Sequence, residues 1–203
     1  MSSGFRHLGD TDVHHGHVWK VVVADFEAPD GTAFRRDIVR SPGAVAVVPV
    51  VFDPEGLPSV ALIRQYRPPY GRPIIEIPAG MRDVPGEPAE ETGRRELIEE
   101  AGLRAGAMVH LIDMLPSPGM TDSVCTIYLA TGCEPVDHDR HGPEETEMEL
   151  LHVPLEDALV MVDRGEIGDA KTVCGLLTAD RALRTSFGPT DAAPDADPYS
   201  APM

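Results

Sequence analysis

The sequence is poor in positive charge, with 17 Lys and Arg against 34 Asp and Glu and a formal net charge of -17. A general electrostatic grip on nucleic acid needs a basic surface, so a nucleic-acid partner is excluded. A small phosphorylated ligand remains compatible, provided divalent cations sit between carboxylates and phosphates. Cysteine is also scarce. Cys125, Cys133 and Cys174 are odd in number and have no metal-ligand spacing, so the expectation is a reduced protein with buried thiols. Met1 to Val13 holds no apolar run of the kind a secretory signal needs. No stretch reaches the roughly 18 apolar residues of a membrane span. The expectation is therefore a cytoplasmic chain without a membrane partner. Internal repeats are absent too.

What is present is the balance of an ordinary globular protein, 42 % hydrophobic and 25 % charged over 203 residues. That length suffices for one domain with a full core and a small appendage. Residues 1–16 are polar, and with His17 they hold four histidines (His7, His14, His15 and His17) and no Cys. They read as a mobile terminus. Val18–Phe26 and Phe34–Val39, joined by Pro29-Asp30-Gly31, predict a β-hairpin. After Ser41-Pro42-Gly43 comes AVAVVPVVF (Ala44–Phe52), an apolar run suited to a strand buried on both faces.

Further strands are expected at Ser59–Arg67, Ile74–Ile77, Met108–Leu115, Ser123–Thr131 and Met148–Val153. Helices are expected at Pro88–Ala101, Leu155–Arg164 and Asp169–Arg184. The first has Pro88 at its start, Glu90 and Glu91 against its positive end, and Gly102 after its last turn. Gly93 inside it is a flaw worth about 1 kcal/mol relative to Ala. Strands with a few helices and no βαβ rhythm predict an α+β sandwich. The expected division is an N-terminal β extension (1–43), a main domain (44–187) and a disordered tail (188–203), the tail being rich in Pro, Asp and Ala.

Within the first helix, Glu96, Glu99 and Glu100 stand at i, i+3 and i+4 and project from one face. Such like charges repel, and no lysine between Glu87 and Leu103 relieves them. Hard oxygen ligands so grouped suit Mg²⁺ or Mn²⁺, while an acidic solvated face is the alternative on spacing alone. The surrounding residues decide between these. Gly80, Glu87 and Arg95-Glu96-Leu97-Ile98-Glu99-Glu100-Ala101-Gly102-Leu103 closely resemble the Nudix box, G-x5-E-x7-R-E-U-x-E-E-x-G-U with U aliphatic. Every specified position from Glu87 onward matches. One departure exists: MRDVPG puts six residues, not five, between Gly80 and Glu87. The extra residue falls in a Pro- and Gly-rich loop and leaves the helix register intact.

The resemblance covers residues 44–185 and implies the Nudix fold, a mixed β-sheet sandwiched between α-helices, here with an N-terminal antiparallel β extension. It implies that Glu96, Glu99 and Glu100, with the Ala79 carbonyl, hold two or three Mg²⁺ ions (Mn²⁺ as a substitute) on a substrate pyrophosphate. It makes Gly80, Glu87 and Arg95 structural, the last two as an ion pair. It implies a general base on a loop after the core strands: Glu145, with Glu144 beside it as the alternative, acting alongside Glu99.

Three features are similar to the ADP-ribose pyrophosphatase branch. Pro118, in Ser117-Pro118-Gly119, lies sixteen residues past Gly102. Gln65-Tyr66-Arg67 and Glu76-Ile77-Pro78-Ala79-Gly80-Met81 match its members, and so does the N-terminal hairpin through which such enzymes exchange domains and dimerise. The resemblance thus implies a domain-swapped homodimer acting on a small nucleoside diphosphate derivative, ADP-ribose first, yielding AMP and ribose 5-phosphate. Arg67, Glu76, Met81 and Pro118 would lie near substrate, and Arg35 and Asp37 would reach the partner's site. The alternatives are a nucleotide sugar as substrate and a non-catalytic ADP-ribose sensor.

Overall fold

A computed structural model describes residues 4–53, 55–137 and 147–185 of the chain. The described residues fall into two compact units.

The smaller unit comprises residues 4–43 and Leu115–Val124. Its strands β1 (Arg6–His15), β2 (Lys20–Glu27) and β3 (Ala33–Arg40) form an antiparallel sheet in the order β1-β2-β3. The expected hairpin is thus two strands of three, and the expected mobile terminus is an ordered strand. Nearly every β1 side chain is exposed, so no apolar alternation marks it in the sequence. It is held by pairing with β2 from Arg6↔Glu27 to His15↔Lys20, and by Arg40, whose Nε and Nη2 each lie 3.0 Å from an Asp10 oxygen. The same guanidinium reaches Asp122 at 3.2 Å, and the Val39 N–H donates to the Met120 carbonyl at 2.9 Å, which ties the second segment to β3. Ser117-Pro118-Gly119 is the turn expected, with the Met120 N–H on the Ser117 carbonyl at 2.9 Å.

The larger unit is organised by β4 (Ala44–Phe52). Residues 45–50 are all buried, because helices cover both faces of the sheet. Strands β5 (Pro58–Arg67), β6 (Arg72–Glu76), β7 (Ala79–Met81), β9 (Ala107–Met114), β10 (Cys125–Thr131) and β12 (Glu149–Pro154) complete a mixed sheet with the path β12-β5-β4-β10-β9. A small ladder of β8 (Leu103–Arg104) and β11 (Glu134–Pro135) stands apart. Among the described pairs of named strands, only β4 and β10 run parallel.

The detail that places the site is a split along one edge of β4. Its last residues, Val50–Phe52, pair with β5, whereas its first, Ala44–Ala46, pair with β7. Meanwhile β6 pairs with the far end of β5, and the Pro78 carbonyl accepts the Val47 N–H at 2.9 Å. The segment Glu76–Gly80 is thereby wedged between two diverging strands.

Successive β4 side chains point to opposite faces. Val47, with Ala61 and Ala130, packs under α1 (Ala89–Ala101) through Leu97 and Ala101. Val48 and Val50, with Leu62 and Ile127, pack under α2 (Leu155–Asp163) and α3 (Ala170–Thr185) through Ala158 and Leu176. This is the α+β sandwich expected. Gly93 is no flaw here: a methyl on it would stand 3.1 Å from Val45 Cγ1 and Val47 Cγ2 and 3.2 Å from Met108 Cε. The absent side chain lets α1 lie directly on the sheet.

The cysteines are free, with Cys125 buried and Cys133 and Cys174 partly exposed, so one thiol rather than three is fully buried. Among the described residues no helix is long and apolar enough to cross a membrane.

Candidate active site

Helix α1 starts after Pro88, where the Thr92 hydroxyl donates to Glu87 at 2.8 Å, and ends at Gly102, whose φ of +60° a side chain would resist. Between these ends the i, i+3, i+4 spacing puts Glu96, Glu99 and Glu100 on one side of the helix, where Glu96 meets Gly80 of β7 and Glu100 meets Ala79. Glu96 and Glu100 are buried and Glu99 is half-buried. A methyl at Gly80 would overlap the Glu96 carboxylate, lying within 2.5 Å even of its more distant oxygen. Only glycine admits that carboxylate against the strand.

Glu100 accepts the Ala79 N–H at 2.8 Å. Burial pushes its carboxyl up to about 8, and the neighbouring Glu96 adds to that. The Ala79 N–H and the charges of Arg67 and Lys171 oppose the rise without cancelling it.

Arg95 has more partners than the ion pair expected. Its Nη2 lies 3.4 Å from Glu87, but its Nη1 lies 2.7 Å from Glu96 and 3.1 Å from Glu99. Burial disfavours the guanidinium charge, yet Glu96, Glu87 and Glu99 outweigh it and raise the pKa. Arg95 therefore supplies the positive charge these carboxylates need. Among the described residues no three His, Cys, Asp or Glu side chains are arranged as a finished metal cage. The donors nonetheless fit a hard divalent cation: oxygen ligands only, two of them on buried carboxylates.

A second cluster borders this one. Arg67 Nε and Nη2 bind the two Glu76 oxygens at 2.7 and 2.8 Å, and Lys171 Nζ also binds Glu76. Burial works against the Glu76 charge, but Arg67 and Lys171 overcome it and hold its pKa below the ordinary value. Asp169 binds Lys171 at 3.0 Å and accepts the Thr172 N–H at 3.0 Å, capping α3. Lys171 and Asp169 were missed by sequence reasoning. An Asp opening a predicted helix signals a cap, but nothing local links Lys171 to Glu76.

Of the remaining sequence-predicted residues, Met81 is half-buried on β7 opposite Ala44. Pro118, Arg35 and Asp37 are exposed in the smaller unit, where Arg35 pairs with Asp25 at 2.6 Å. Glu144 and Glu145 lie outside the described residues, as does the 188–203 tail.

A mixed sheet between helices, with a Glu-bearing helix packed on a glycine strand, is the architecture of a Nudix protein. The chain belongs to the NUDIX domain family, whose model matches residues 42–176. It is 36 % identical over 183 residues to an ADP-ribose pyrophosphatase of Mycobacterium tuberculosis, covering 90 % of this chain and 86 % of that protein. It is 39 % identical over 165 residues to an ADP-ribose pyrophosphatase of Bacillus subtilis, covering 81 % and 86 %. A solved structure described as an ADP compounds hydrolase shares the fold, with a TM-score of 0.75 at 24 % identity, covering 90 % of this chain and 96 % of that one. Nudix hydrolases generally use divalent metal ions.

Proposed function

We propose that this chain hydrolyses the pyrophosphate bond of ADP-ribose, giving AMP and ribose 5-phosphate, with Mg²⁺ (or Mn²⁺) as cofactor, two or three ions per site. The observation that carries the reading is the α1 face itself: Glu96 lies against Gly80, Glu100 accepts the Ala79 N–H, and Glu99 stands between them on the same side of the helix. The two relatives named ADP-ribose pyrophosphatase, each similar over most of the chain, support the choice of substrate.

Bound divalent ions would neutralise phosphate oxygens and lower the pKa of an attacking water. Glu96, Glu99 and Glu100, with the Ala79 carbonyl, would hold those ions. Water then adds across the phosphoanhydride: a new P–O bond forms and the bridging P–O bond breaks. Glu145 is the proposed general base, with Glu144 as its alternative. Gly80 and Glu87 act on architecture, Gly80 by admitting Glu96 and Glu87 by bonding Thr92 and Arg95. Arg67 is the cation of the site that forks onto phosphate oxygens, with Glu76 setting its plane. Met81 and Pro118 would line the substrate. A homodimer formed through the N-terminal sheet would bring Arg35 and Asp37 to the partner's site, and the setting proposed is the cytoplasm.

The test is product identification from ADP-ribose and Mg²⁺, with Glu99→Gln and Glu100→Gln alongside. AMP and ribose 5-phosphate from the wild type, largely lost in both variants, would uphold the reaction and the metal-bearing helix together. Cleavage of a nucleotide sugar in place of ADP-ribose would keep the chemistry and replace the substrate. Silence on every substrate would favour a ligand sensor. A native mass near twice 21.9 kDa is expected, and a strict monomer would remove Arg35 and Asp37 from the site.

A further inference from the structure

The Glu76 side chain is only 3 % exposed, yet it accepts bonds from two cations. Arg67 takes both oxygens side-on through Nε and Nη2, and among the described residues its Nη1 is not engaged. Lys171 comes to Glu76 from the first turn of α3, across a separation of 95 residues. That turn is itself fastened. Asp169 accepts the Thr172 hydroxyl at 2.6 Å and N–H at 3.0 Å and binds Lys171 Nζ at 3.0 Å. The Thr172 hydroxyl in turn accepts the Ile77 N–H at 2.9 Å. The start of α3 therefore grips two consecutive residues, Glu76 by charge and Ile77 by its backbone, just before the segment that carries Ala79 and Gly80.

We propose that Lys171 is a positioning residue for the pyrophosphate site, fixing the Glu76 carboxylate so that Arg67 presents its Nη1 edge to a phosphate. A carboxylate held by one guanidinium alone can swing with it. Held from a second side by an ammonium on a capped helix, it becomes a rigid platform, and the guanidinium plane is set with it. Lys171 thus acts through Glu76 and Arg67, without touching the substrate. The inference rests on reading the α1 face as a pyrophosphate site.

The experiment is a double-mutant cycle on the full-length Mg²⁺-loaded protein, with Lys171→Met, Arg67→Gln and the double variant. Affinity for inorganic pyrophosphate is read by calorimetry, and ADP-ribose turnover is measured in parallel. Each single variant is expected to weaken pyrophosphate binding about tenfold, with the double no weaker than Arg67→Gln alone. Lys171→Arg is expected to hold binding within about threefold of wild type, because it keeps a cation in the first turn of α3 within reach of Glu76. In turnover, Lys171→Met is expected to raise KM more than it lowers kcat.

Additive losses in the cycle would overturn the proposal. So would unchanged pyrophosphate affinity in Lys171→Met, whatever its unfolding temperature, or a wild type that does not bind pyrophosphate. If Lys171→Met does not fold, the same cycle is run with Lys171→Gln. Coupled losses with ADP-ribose left intact would uphold Lys171 and discard only the substrate. Turnover of ADP-ribose with additive losses would discard Lys171 alone.

Discussion

Gly80 and Glu96 occupy adjoining space so tightly that no β-carbon fits on the glycine without displacing the Glu96 carboxylate. What must yield is the free end of a flexible side chain, not backbone. Gly80→Ala is therefore expected to leave the fold intact, with an unfolding free energy within about 1 kcal/mol of wild type. Mg²⁺ affinity and turnover should both fall at least about tenfold. Chemical denaturation and calorimetric metal titration on the same preparation check this. A large stability loss with unchanged metal affinity would show that the glycine serves the strand, not the carboxylate.

Gly93 makes the opposite point about a methyl group. In an isolated helix Gly93→Ala would add about 1 kcal/mol of stability. Here the new methyl meets two β-branched side chains, Val45 and Val47, at 3.1 Å. Overpacking typically costs about 1–3 kcal/mol, so the variant is expected to be no more stable than wild type and to lose up to about 2 kcal/mol. Urea denaturation decides it, and a clear gain would mean that α1 has room to lift.

Arg95 bridges Glu96 and Glu99, and divalent cations would supply charge to the same carboxylates. Arg95→Gln should therefore unfold several degrees below wild type in EDTA, with about 2–4 °C lost per kcal/mol in a protein of this size. Saturating Mg²⁺ should narrow that gap. Thermal scans with and without metal test this, and a gap that metal does not change would confine Arg95 to the Glu87 ion pair.

Glu76 sets an acid dependence. Its carboxyl lies below the ordinary value of 4.5 in the folded chain, because Arg67 and Lys171 outweigh its burial. A depressed folded pKa contributes stability above the unfolded value, and that contribution is lost as pH falls through the lower folded one. Wild type should thus lose stability below about pH 4.5 more steeply than Glu76→Gln, which has no such proton to take up. Denaturation midpoints at pH 6, 4.5 and 3.5 measure the difference in slope. Parallel curves would mean that the Glu76 pairs contribute nothing to folding.

Much of helix α1 was legible because its information is local. The spacing of Glu96, Glu99 and Glu100 sets their common face through the helical period alone, and Gly102 marks the helix end where a left-handed residue is needed. The apolar run Ala44–Phe52 announced a strand covered on both sides, which is what the sheet and its helices show. The polar strand β1 was not legible, since its order comes from backbone pairing and from Arg40 rather than from an apolar face.

By itself, then, the sequence determined the elements whose periodicity is written in neighbouring residues, together with the family to which the Glu-bearing box belongs. Tertiary structure alone decided the rest. It made Gly93 a contact surface and raised the Glu100 carboxyl by burial. It also carried Lys171 to Glu76 across 95 residues. The physical reason is common to all three. Steric contact, desolvation and charge pairing act through space over a few ångströms, and only the folded sheet and helices bring residues distant in the chain within that range.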